Sequence, residues 1–197
     1  MRRITLLAAV LLATGCATAY QTAHTGFHFQ GDIGFGVSRS SASPNGEDVT
    51  ISGSGSQYSL AVGGAVVPNL IIGGQLWGSW TLNPSVEING QPAQTASNAS
   101  AGVYAIGPMV KYYVMPINFY LAATPSFAKL TSSSSTGSGE TKWGPALRLA
   151  AGKEWYASQH WGLGLASVFQ FSSNEGSSGG ATWSTVGGGV VFSASYN

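Results

Sequence analysis

Charge is what this sequence lacks most. Only 8% of its 197 residues are Asp, Glu, Lys or Arg, about a third of the roughly 25% usual in soluble domains. A surface built from it and turned to water would be unusually poor in charge. The eight basic and seven acidic residues nearly balance, so there is no electrostatic footprint for nucleic acid, and partners held by bulk charge are excluded. Histidine is equally scarce: His24, His28 and His160 are scattered and have no neighbouring carboxylate in the chain, which makes a poor metal site. Gly187-Gly188-Gly189 lacks the Lys-Ser/Thr that phosphate cradling needs. No cofactor is implied.

Cysteine is limited to Cys16 and long apolar runs to one, Ile4 to Ala13, interrupted only by Thr5. That run is too short to cross a bilayer as a helix. With Arg2-Arg3 before it and Ala17-Thr18-Ala19 after it, it reads as a secretory signal peptide over residues 1–19, leaving 20–197 as one mature domain. Cys16 sits where a lipobox would place a lipidated residue, with Ala13 where Leu is usual. Lipidation at Cys16 and removal of Cys16 by cleavage after Ala19 both stay open. Cleavage leaves no cysteine, so disulfides cannot hold the exported chain and some other closure must.

What the mature chain has in quantity is Gly, Ser and aromatics. Helix signals are absent. Eight stretches, 26–40, 54–67, 69–83, 100–115, 117–131, 141–157, 160–173 and 182–197, read as strands between Gly, Ser, Asn or Pro clusters. They are longer than the five or six residues typical of globular sheets, and a tilted barrel strand needs about 9 to 11 to cross a membrane. Tight connections at Val67-Pro68-Asn69, Pro116-Ile117-Asn118 and Ser158-Gln159-His160 alternate with long ones near 41–53, 84–99, 132–140 and 174–181. Short turns at one rim and long loops at the other are the outer-membrane pattern. The long loops carry five of the seven acids, Glu47, Asp48, Glu87, Glu140 and Glu175, and their Ser/Gly content predicts mobility.

Alternation assigns the faces. Phe27, Phe29, Ile33, Phe35 and Val37 share one parity and oppose His28, Gln30, Asp32, Gly34 and Ser38; Trp161, Leu163, Leu165, Phe169 and Phe171 form another such row. Given up-and-down order, the apolar-face aromatics sort to two rims. Phe27, Tyr112, Phe119, Trp155, Trp161 and Tyr196 fall at the short-turn rim, Trp80, Tyr104 and Trp143 at the long-loop rim, as two membrane interfaces require. Closure satisfies every backbone donor without an edge exposed to lipid. The chain ends Thr185-x-Gly187-x-x-Val190-x-Phe192 with Tyr196 beside the terminus, which resembles the terminal-strand signal read by the outer-membrane assembly machinery.

Over residues 20–197 the chain resembles the small OmpA/OmpX/OmpW-type barrels. The resemblance is architectural and implies an all-β, eight-stranded antiparallel up-and-down transmembrane β-barrel in the outer membrane of a Gram-negative-type bacterium, with outer-membrane lipid and lipopolysaccharide as surroundings. Its members include structural proteins, adhesins, narrow channels and lipid-modifying enzymes, so fold alone gives no activity.

Inward parity collects Asp32, Lys111, Arg148 and Glu154, with Gln75 and Gln170. Charges enclosed there need partners, and a lumen ion-pair network acting as a structural plug is expected. The many inward Gly and Ala residues serve curvature and packing or leave a ligand cavity. The three histidines map to the short-turn rim, away from an outer-leaflet substrate, so no active site is assigned. The expectation is a non-enzymatic protein, structural or surface-interacting through its loops; the alternatives are a narrow, porin-like channel or carrier for small, possibly apolar molecules, and a soluble lipocalin-like carrier with the apolar face inward.

Overall fold

A computed structural model describes residues 23–93, 98–135, 137–177 and 180–197; the expected signal peptide and Cys16 lie outside the described residues. Eleven strands follow one another as β1 (Phe27–Ala42), β2 (Val49–Val67), β3 (Leu70–Leu82), β4 (Ser85–Ile88), β5 (Gln91–Pro92), β6 (Ser100–Val114), β7 (Phe119–Ser134), β8 (Gly137–Glu140), β9 (Gly144–Tyr156), β10 (Trp161–Glu175) and β11 (Thr182–Tyr196). The eight long ones make the barrel. Each pairs antiparallel with its neighbour along the chain, and β1 pairs with β2 on one side and β11 on the other, which closes the ring. Every expected strand coincides with one of these eight within a few residues.

The long-loop rim differs from expectation. Residues 49–53, read as loop, extend β2, and 49–52 pair with β4, while Thr131–Ser134 pair with Gly137–Glu140 of β8. These Ser- and Gly-rich stretches, expected to be mobile, continue the barrel wall as short ribbons because a ladder supplies backbone hydrogen bonds whatever the side chains. Tight turns join β2 to β3 and β6 to β7 where expected, and in them Asn69 and Asn118 take positive φ of 68° and 53°, which asparagine tolerates at turns. One ladder opens mid-strand. Pairing of β6 with β7 lapses between Ile106/Phe127 and Val110/Ala123, where Pro108 and Pro125 bring no N–H.

Exposure divides the residues by parity. Phe35 is 79% exposed and Phe127 65%, whereas Trp77 is 2% exposed and Tyr113 fully buried. The outer face carries Phe, Leu, Ile and Val over most of its height; the inner face carries the polar and small residues. This overturns the lipocalin-like arrangement, which needs the large apolar side chains inside. The interior is filled instead by Trp77, Met109, Tyr113 and Tyr120, together with Ile71, Val168 and Val191. Inward glycines let backbone and side chains approach: a Cβ on Gly34 would stand 2.1 Å from the Val190 carbonyl oxygen, and one on Gly36 would stand 2.1 Å from the Gln57 amide nitrogen.

Candidate site in the barrel lumen

Asp32 on β1, Lys111 on β6, Arg148 on β9 and Glu154 on β9 all point inward and all are buried. Lys111 Nζ lies 2.7 Å from Glu154 Oε1, and the nearest Arg148 guanidinium nitrogen lies 3.7 Å from Asp32 Oδ2. Lys111 also donates to Gln30 Oε1 and sits over the rings of Tyr120 (3.8 Å) and Tyr113 (4.5 Å). The Glu154 carboxylate accepts two more bonds, from Tyr113 Oη at 2.9 Å and Ser195 Oγ at 2.8 Å. Such a pair is fully partnered, the condition under which a charge is tolerated in an apolar interior.

The bonding continues across the lumen. Gln30 Nε2 donates to Asp32 Oδ1 at 2.6 Å, Ser59 Oγ to Asp32 Oδ2 at 2.5 Å, Gln75 Nε2 to Ser59 Oγ at 3.0 Å and Thr124 Oγ1 to Gln75 Oε1 at 2.6 Å. One connected set therefore joins β1, β2, β3, β6, β7, β9 and β11. Beside it lies a void of about 10 Å³, bordered by Asp32, Lys111, Arg148 and Gln75, no more than one water needs. Arg148 is bonded less completely: none of its guanidinium nitrogens has a hydrogen-bond partner, and neither do the amide atoms of Gln170 on the facing β10 position. Trp77 closes the layer above, its ring centroid 6.0 Å from the Arg148 guanidinium and its indole N–H bonded to Ser126 Oγ at 3.0 Å.

The short-turn rim holds a second cluster that the sequence did not disclose. His24, ahead of β1, tucks into the barrel base and stacks on Tyr113 with ring centroids 3.6 Å apart. Its Nε2 lies 2.7 Å from Asn118 Oδ1 and 2.9 Å from Tyr156 Oη, and its backbone N–H donates to Asn69 Oδ1. His28 Nδ1 lies 2.6 Å from Asn197 Oδ1. Histidines that looked scattered thus gather round Tyr113, because His24 and the turn asparagines fold inward. Burial holds the His24 imidazole below its ordinary pKa, outweighing the Asn118 hydrogen bond and the Glu154 charge that pull it up. His160 contacts the chain's terminal carbonyl region through Asn197 instead. Among the described residues no three His, Cys, Asp or Glu side chains gather as a metal site.

At the opposite end the wall rises into a cup of about 290 Å³, lined by Ser38, Ser79, Val103, Leu130, Thr131 and Trp183 among others. On the outer face, Phe27, Tyr104, Tyr112, Trp143 and Trp161 are exposed, while Trp80, Phe119, Trp155 and Tyr196 are half-buried against neighbours. Trp80 packs on Tyr104, and Tyr196 on Trp161.

No protein-family model matches the chain, and no curated protein matches it by sequence. Solved structures do match in shape. Neisserial surface protein A is 14% identical with a TM-score of 0.59, and the outer membrane protein OprG of Pseudomonas aeruginosa is 14% identical with a TM-score of 0.51. Each alignment covers 89% of this chain and 99% of the other. The chain has the fold of the small outer-membrane β-barrels.

Proposed function

We propose that the chain is a plugged, non-enzymatic barrel of a bacterial outer membrane, structural or surface-interacting through the ribbons of its long-loop rim. The observation that carries this reading is the lumen: a bonded layer drawn from seven strands, with room beside it for one water. The apolar outer face supports the membrane setting, since a closed barrel is the β architecture that leaves no backbone group unpaired in lipid. The buried histidines bond to asparagine and tyrosine and one stacks on a tyrosine ring, which supports a packing role for them at the barrel base. Surrounding partners are outer-membrane lipid and lipopolysaccharide, with the assembly machinery during biogenesis.

Planar-bilayer recording of the refolded barrel tests the plug. Steady current steps are expected to be absent in the wild type and to appear, or stability to fall, in Arg148→Ala and Lys111→Ala. A wild type that conducts steadily, or variants that change neither property, would mean the layer is no plug. A second reading, a carrier for small molecules, is favoured by the cup alone, which could hold a small solute above the closed layer.

A further inference from the structure

The outer face is not uniformly filled. Along one row of register, Val37 of β1, Gly188 of β11 and Phe169 of β10 stand side by side, all on the outward parity. Gly188 contributes no side chain between two that project, and strands are spaced about 4.8 Å apart, so the walls of the notch stand about 10 Å apart at the backbone. The result is an apolar groove of about 590 Å³ lined by Val37, Arg39, Ser52, Phe169, Val186 and Gly188, among others.

Arg39 stands at the end of this groove nearer the long loops, one outward position beyond Val37, paired in register with Val186 and Ser52. Phe29 is paired in register with Tyr196 of the short-turn girdle, and from Phe29 to Arg39 is ten residues; at about 3.4 Å per residue and a tilt of about 40°, that is about 26 Å along the barrel axis. The apolar band of such barrels is about 25 Å tall. Arg39 therefore lies at the level of the outer headgroups. The two other cations of this rim, on the far side of the barrel, are paired: Lys129 lies 2.8 Å from Glu140 and Lys142 lies 3.0 Å from Glu175. Arg39 has no ion pair among the described residues. An exposed guanidinium beside an apolar notch offers bidentate binding to a phosphate together with a slot for hydrocarbon.

We infer that this groove seats one acyl chain of a phosphorylated outer-leaflet lipid, with the lipid phosphate on Arg39. The inference rests on the outer-membrane reading and adds a defined lipid site to it. Native mass spectrometry of the detergent-solubilised barrel with added diphosphoryl lipid A tests it, with the same lipid stripped of its phosphates as the comparison. A shift in gel mobility on boiling first shows that each variant is a folded barrel. The wild type is expected to retain one lipid A and to retain the dephosphorylated form several-fold less. Arg39→Gln should weaken lipid A binding about fivefold, the effect of one basic residue at an anionic lipid surface. Gly188→Leu should lose both lipids; a Cβ there would meet only the Val168 carbonyl oxygen, at 3.3 Å, a tight contact that asks the backbone to give by a few tenths of an ångström, and the shift on boiling shows whether the variant is folded. Lys153→Gln, on the short-turn side, should bind as the wild type does. Equal retention of the two lipids, or wild-type retention by Arg39→Gln or Gly188→Leu, overturns the site, as does a lipid-free dimer that Gly188→Leu disperses. A wild type with no shift on boiling overturns the barrel reading, and the groove with it.

Discussion

The Lys111–Glu154 pair makes a quantitative demand. Lys111 Nζ and Glu154 Oε1 are 2.7 Å apart with both side chains almost wholly buried. Lys111→Met leaves a buried carboxylate that keeps only the Tyr113 and Ser195 donors. Glu154→Leu leaves a buried ammonium with the Gln30 carbonyl and two ring faces. Breaking such a pair from one side costs about 3–5 kcal/mol, because the surviving charge stays in the interior unpaired. Replacing both partners by apolar residues of similar volume is close to neutral for comparable pairs, although here Tyr113, Ser195 and Gln30 would each lose one partner, at about 1 kcal/mol apiece. The double variant Lys111→Met/Glu154→Leu should therefore lose less than the two single losses added, giving a coupling of at least about 2 kcal/mol. Urea unfolding in lipid vesicles, followed by the loss of heat-modifiable mobility, measures all four corners of the cycle. Single variants that each cost under about 1 kcal/mol, or a double variant whose loss equals the sum, would refute the claim that these two charges depend on one another.

Other outcomes follow from the same interior and rim. Trp77→Ala should destabilise the barrel by about 3–5 kcal/mol, read by the same urea titration, as removal of a large buried ring does, and should leave bilayer recordings silent because the bonded layer beneath remains. Gly34→Val should prevent recovery of the folded, heat-shifted band on refolding, since even a Cβ would collide with the backbone of β11. Lys142→Gln should change the urea midpoint little, by under about 1 kcal/mol, its pair with Glu175 being open to water. For His24 the folded pKa is lowered, so the unfolded chain binds its proton first; the stability that the neutral ring contributes is complete above the unfolded value of about 6.5 and falls as pH drops through it. His24→Gln should flatten that part of the stability profile between about pH 7 and 5, and an unchanged profile would remove His24 from the account.

How far the chain could be read in advance varies by feature. Barrel strands were legible because a wall with lipid on one side and packed interior on the other imposes a period of two, and rows such as Phe27-x-Phe29 to Val37 carry it openly. Membership of the lumen set was legible for the same reason, since Asp32, Lys111, Arg148 and Glu154 fall on the small-residue parity. Which charge pairs with which was not: shear sets that, and it brings Lys111 to Glu154 and Arg148 to Asp32 without any trace in local spacing. The β4 and β8 ribbons were missed because Ser, Gly and Asn mark loops by composition, while here the neighbouring strand edge supplies the bonding. His24 was unreadable for a third reason. It lies outside every strand, and its place at the barrel base depends on Asn69 and Asn118, whose positions in tight turns were legible but whose inward side chains were not.

The most direct test of the central claim is fractionation of the native host with carbonate washing, followed by gel mobility of the mature chain before and after boiling. Retention in the outer membrane with a mobility shift on boiling is the predicted result. Release as a soluble protein without a shift would contradict the account, because it would put the exposed rows of Phe, Leu and Val in water.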